Sequence, residues 1–86
     1  MDWEVEFYSN IMEQALAVLD KDDKKFIWKC RKIIELMNFL RQSYKKIVVK
    51  NALILILSLF EDYRIDAISK KEKNILINTL KEEFLA

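Results

Sequence analysis

Glycine and proline are both absent from this 86-residue chain, and so is histidine. Turns that require a positive or a fixed φ draw on the first two residues, so their absence argues against hairpin-rich β folds. Without glycine there is neither a Walker phosphate loop nor a dinucleotide fingerprint, because both need backbone to approach phosphate closely. Without histidine the Ser-His-Asp and Cys-His arrangements cannot be built, nor can a histidine-containing zinc site. A single cysteine, Cys30, cannot form an internal disulfide, so nothing requires an oxidising compartment. The start Met1-Asp2-Trp3-Glu4 lacks the basic residues and apolar run of a secretory signal, and a cytoplasmic location is expected.

What the chain does contain is Leu, Ile, Lys and Glu in abundance, a helix-favouring mixture at a length that suits one domain spanning residues 1–86. The expected class is all-α, as an antiparallel four-helix bundle. Its organising stretch is Ala52 to Leu57, six apolar residues in a row, preceded by Ile47, Val48 and Val49 and followed by Leu59 and Phe60. Lys50, Asn51 and Ser58 interrupt it, and it falls short of the ~20 residues that cross a hydrocarbon layer. A segment apolar on every side is expected to be a central helix wrapped by its neighbours, with Leu55 fully buried in its middle.

Tyr8, Ile11, Met12, Ala15, Leu16 and Leu19 recur at helical steps and predict a first helix from Trp3 to Leu19, with Asp2 as N-cap. Trp3, Val5 and Phe7 lie partly off that stripe and predict contact with a second neighbour. The run Asp20-Lys21-Asp22-Asp23 reads as a turn in which Asp22 or Asp23 caps the next helix. From Lys24 the stripe resumes through Phe26/Ile27, Cys30, Ile33/Ile34, Met37, Leu40 and Tyr44, with Lys25, Lys29 and Lys32 on the side facing water. A boundary falls between residues 43 and 48, although one bent helix across it also fits the pattern. The third helix is expected from Val48 or Asn51 to Tyr63, followed by a connection tucked under the bundle by Ile65 and Ile68. Ser69-Lys70-Lys71-Glu72 has the form of a capping box and opens a fourth helix that runs through Phe84.

Charge is near balance at +1 but unevenly spread. Residues 1–23 hold seven acids against Lys21, whereas residues 24–50 hold nine bases against Glu35, which suggests a complementary hairpin. The basic stretch could meet nucleic acid or anionic lipid, but the near-neutral total favours a solvated helix face and argues against nucleic acid. Asp20, Asp22 and Asp23 lack the glycine and terminal glutamate of a calcium loop and read as turn and cap. Adjacent pairs such as Glu61/Asp62 and Glu82/Glu83 diverge on a helix and are poor general acid–base partners. Cys30 sits on an apolar stripe and reads as a small buried hydrophobe rather than a reactive thiol. Trp28 and Phe39 fall off the main stripe and, if exposed, mark a partner surface. No catalytic, cofactor-binding or metal-binding residue is proposed, and the chain is expected to be a non-enzymatic binding protein.

The second half resembles the immunity proteins of pediocin-like (class IIa) bacteriocins, the enterocin A type especially. The resemblance rests on Asn51-Ala52-Leu53-Ile54-Leu55-Ile56-Leu57, then Tyr63-Arg64-Ile65, then Ile68-Ser69 before Glu72 and the helix carrying Ile75, Leu76, Leu80, Lys81 and Glu82. It implies a small cytosolic four-helix antiparallel bundle that protects its producer without catalysis; the isolated chain is expected to be a monomer or dimer. It also implies a protein partner, the membrane-embedded mannose-type sugar transporter with bound bacteriocin, and hence a peripheral position at the inner face of the membrane. In that family specificity lies toward the C-terminal half, which directs attention to Tyr63, Arg64, Lys71, Lys81, Glu82 and Phe84. The long C-terminal extension of some members has no counterpart here. The rival reading is a small viral or mobile-element protein that uses the same kind of bundle to bind and block a host macromolecule.

Overall fold

The computed structural model describes residues 2–62 and 68–85. They form four helices, α1 (Trp3–Leu19), α2 (Phe26–Ser43), α3 (Lys46–Asp62) and α4 (Lys70–Phe84). The architecture is the expected all-α four-helix bundle, with no strand among the described residues. α3 packs on all three other helices, most extensively on α1, while α2 also touches α1 and α4. α1 and α4 make no close backbone approach. The core is one cluster in which Ile11, Ala15 and Leu19 meet Ile33, Met37, Leu40, Leu53, Ile56, Leu76 and Leu80.

The first and last helices begin as their sequences dictate. The Asp2 carboxylate accepts from the Glu4 amide at 3.1 Å, and α1 starts at Trp3. At Ser69 the hydroxyl accepts from the Glu72 amide at 3.2 Å while the Glu72 carboxylate accepts from the Ser69 amide at 3.3 Å, so the capping box is complete. α2 departs from expectation. It starts at Phe26 with Lys25 in the N-cap position and no side-chain cap, so neither Asp22 nor Asp23 plays that part. Tyr44, at φ −133° and ψ 163°, is extended and separates α2 from α3. The alternative of one bent helix is thereby excluded, and α3 begins at Lys46, ahead of Val48 and Asn51.

Two further expectations are corrected. α3 is not buried all round: Val49, Ala52, Leu53, Ile56, Leu59 and Phe60 face the core, but Ile54 is 51% exposed and Leu55 only half-buried. Three neighbours cannot enclose a helix completely, and the outer strip stays open. Lys29, placed on the wet side by its spacing from Lys25 and Lys32, is 1% exposed and donates from Nζ to the Leu19 carbonyl at 2.8 Å. Leu19 ends α1, where carbonyls lack intrahelical amide partners and the helix dipole is negative. α1 has no basic residue in its own last turn, so α2 supplies the cation.

The same solution recurs. Lys73 donates to the Phe60 carbonyl near the end of α3 at 3.2 Å, and Arg41 donates to the Glu83 carbonyl near the end of α4 at 3.4 Å. No described residue has a positive φ, and the end of α1, which lies wholly among them, does not close through a left-handed residue. The anticipated charge complementarity of α1 and α2 takes no part in this, since the ion pairs among the described residues are Lys32–Glu35 and Arg41–Glu83.

These contacts set the cost of substitution. Leu53→Ala opens a cavity in the core and is expected to cost about 2–5 kcal/mol, whereas Leu55→Ala, at a half-buried position, should cost about 1–2 kcal/mol. Urea denaturation of the two variants gives that order, and an equal loss would contradict the packing of α3. Lys29→Met keeps the apolar stem but strands the Leu19 carbonyl, with an expected loss of about 1–3 kcal/mol. Lys25→Met, on the exposed side, should stay within about 0.5 kcal/mol of the parent by the same measurement.

Candidate partner-binding surface

The sequence singles out six residues at the C-terminal half, and the structure distributes them. Tyr63 and Arg64 lie outside the described residues. Lys71 and Glu82 are exposed on the outer face of α4, eleven positions and therefore about 16 Å apart along the helix. Lys81 is exposed on the flank of α4 that turns toward α3. Phe84 belongs to the core, at 8% exposure, and is corrected from a surface contact to a support. Its ring lies 4.6 Å from the Arg41 guanidinium, which also bonds Asn38 and approaches the Glu83 carboxylate at 3.9 Å. Phe84 and Arg41 thus fix the end of the helix that carries Lys81 and Glu82.

The open strip of α3 is the feature that sequence reasoning missed. Ile54 forms a ridge with a groove on either side. Toward α4 the groove is lined by Ile54, Leu57, Ser58, Glu61, Ile77 and Lys81 and has a volume of about 300 Å³. Toward α1 it is lined by Tyr8, Asn51, Ile54 and Leu55, with a volume of about 290 Å³. The Asn51 amide donates to the Tyr8 hydroxyl at 3.4 Å across the second groove. The first groove is walled by apolar Ile54, Leu57 and Ile77 together with an acid, Glu61, from α3 and a base, Lys81, from α4. Such a surface accepts the apolar face of a helix or loop and orients it by these charges.

No group of three Cys, Asp or Glu converges to hold a metal ion among the described residues, and Asp20, Asp22 and Asp23 stand exposed in the α1–α2 turn. No described helix is long and apolar enough to cross a membrane. Cys30 is half-buried on the inner side of α2, and burial, followed by the nearby Glu72 carboxylate, pushes its thiol above the ordinary value of 9.0. No protein-family model, curated protein or solved structure matches the chain.

The Cys30 environment has a measurable sign. A thiol whose pKa is raised on folding holds its proton more tightly in the native state. The protein should therefore lose stability as pH rises above 9.0, where the unfolded chain ionises first. Below that pH the contribution is constant. The matching kinetic outcome is slower alkylation of Cys30 by iodoacetamide in the native protein than in urea at the same pH. Equal rates would mean that the thiol is as free as in the unfolded chain.

Proposed function

We propose that this protein is a non-catalytic binding module that presents its α3–α4 face to a protein partner, and that its task is immunity of a bacteriocin producer. The observation that carries the binding reading is the groove lined by apolar Ile54, Leu57 and Ile77 together with Glu61 and Lys81. Lys71 and Glu82 stand on the adjoining outer face of α4. The immunity setting comes from the sequence resemblance, in which the partner is a mannose-type sugar transporter engaged by bacteriocin at the membrane. A cytosolic bundle would then act peripherally at the inner face.

The test is protection. Expressed in a strain sensitive to a pediocin-like bacteriocin, the parent chain is expected to raise the lethal bacteriocin concentration. Replacement of Lys71, Lys81 and Glu82 together by serine should abolish that protection. Exposed charges contribute little to folding, so helicity and thermal midpoint should stay near the parent's. The control replaces Lys25, an exposed base at the start of α2 and away from this face, and should keep protection intact. Lys29 cannot serve in such a control because its ammonium is buried. A parent chain that gives no protection against any bacteriocin of this group sinks the immunity role. Loss of protection in the control alone transfers the binding site to the basic stretch.

A further inference from the structure

The outer face of α2 carries a second surface, independent of the α3–α4 groove. Three ammonium groups converge on one indole: Lys24 Nζ lies 5.5 Å from the Trp28 ring centre, Lys32 Nζ 5.8 Å and Lys21 Nζ 6.0 Å. Each is within range of the attraction between a cation and an aromatic face, yet three like charges around one ring repel one another. Lys32 alone has an acidic partner, Glu35 at 3.2 Å, an exposed pair of little strength. Asp20, Asp22 and Asp23 share the turn with Lys21, but none comes within ion-pair distance of these lysines. Lys21 and Lys24 therefore carry no direct ion pair among the described residues, beside a half-buried indole.

Trp28, Lys32, Glu35 and Phe39 follow at steps of four, three and four, so they lie along one side of α2. Phe39 is 58% exposed, and Ile27, next to Trp28, is 63% exposed. From Ile27 to Phe39 is about 18 Å of helix. Lysines stand at both ends of this length, Lys21 and Lys24 before it and the exposed Lys45 and Lys46 after it. An indole and two large apolar side chains set among lysines suit the boundary of an anionic bilayer, where aromatic rings sit at headgroup level and ammonium groups meet phosphates. Single-stranded nucleic acid also rewards lysine and aromatic groups, but it has no use for an exposed isoleucine and favours stacked rings at close intervals. Here the two rings are eleven residues apart.

We propose that the α2 face formed by Lys21, Lys24, Ile27, Trp28, Lys32 and Phe39 docks on anionic lipid headgroups, with α2 lying along the surface. Trp28 reports the event. In a Trp3→Phe background it is the sole indole, and its emission should shift to the blue on addition of phosphatidylglycerol–phosphatidylcholine vesicles, but not of phosphatidylcholine vesicles. Added salt should reverse the shift. Replacing Lys21, Lys24 and Lys32 by glutamine should weaken vesicle binding on the order of a hundredfold, reckoned from the contribution of each base near a charged surface. The exposed position of these side chains lets the variant keep the parent's helicity, which circular dichroism checks on the same samples. Phe39→Ser should weaken binding to the same vesicles without changing its salt dependence. Absence of binding to anionic vesicles overturns the proposal, as does binding that survives the triple replacement. Tighter salt-sensitive binding of a thymidine oligonucleotide than of the vesicles, with quenching of Trp28, would assign the face to nucleic acid instead.

Discussion

Where an α-helix stops, its last carbonyls have no amide to accept from, and burying such an end requires a donor from elsewhere. Many helices close through a residue in the left-handed region just past the end, usually a glycine. This chain has no glycine, and none of its described residues adopts a positive φ. Basic side chains on other helices supply donors at three of the helix ends: Lys29 for α1, Lys73 for α3 and Arg41 for α4. Each of these bonds does two things at once. It satisfies a helix end, and it fixes the distance between that end and a neighbouring helix.

The geometry of the bundle follows from those ties. Lys29 and Lys73 are each the fourth residue of their helices, so the α1–α2 and α3–α4 hairpins are closed in the same manner. In a stapled helix start this fourth position holds an apolar residue that packs back on the one before the cap. Here it holds a lysine that reaches the preceding helix instead, which explains why Ile68 precedes the Ser69 cap without an apolar partner at Lys73. Arg41 then binds the end of α4 to the last turn of α2 and rests on Phe84. The surfaces available for recognition are those left outside this frame: the strip of α3 with its two grooves, and the outer side of α2.

Much of this was legible in the residues. The α1 stripe and the Asp2 cap, the apolar break after Leu19 and the Ser69–Glu72 reciprocity each carry a local signal that tertiary contacts only reinforce. What failed depended on contacts between distant residues. Lys29 stands four residues before Ile33 and eight before Met37, so the wheel of α2 sets it beside the buried stripe, but the carbonyl that accepts from its amine depends on where the α1 terminus lies. The outer strip of α3 is a different case, for it was present in the pattern. Ile47, Asn51, Ile54, Ser58 and Glu61 follow at steps of four and three, and three of the five are polar. The density of leucine and isoleucine on the other sides hid the stripe, and Ile54 was counted as core because of its neighbours rather than its register. Tyr63 and Arg64 lie outside the described residues, so that part of the candidate surface is defined by sequence alone.

The burial of the Lys29 amine gives the molecule an internal clock for its own opening. Acylating reagents attack lysine only when the nitrogen is reachable with its lone pair free, and here that nitrogen is enclosed and donating to the Leu19 carbonyl. The exposed lysines of the same chain would be labelled at once. Lys29 would be labelled only in the moments when α1 and α2 separate at the Leu19 end, so the slow fraction of amine modification counts excursions of a single hairpin within an otherwise folded bundle.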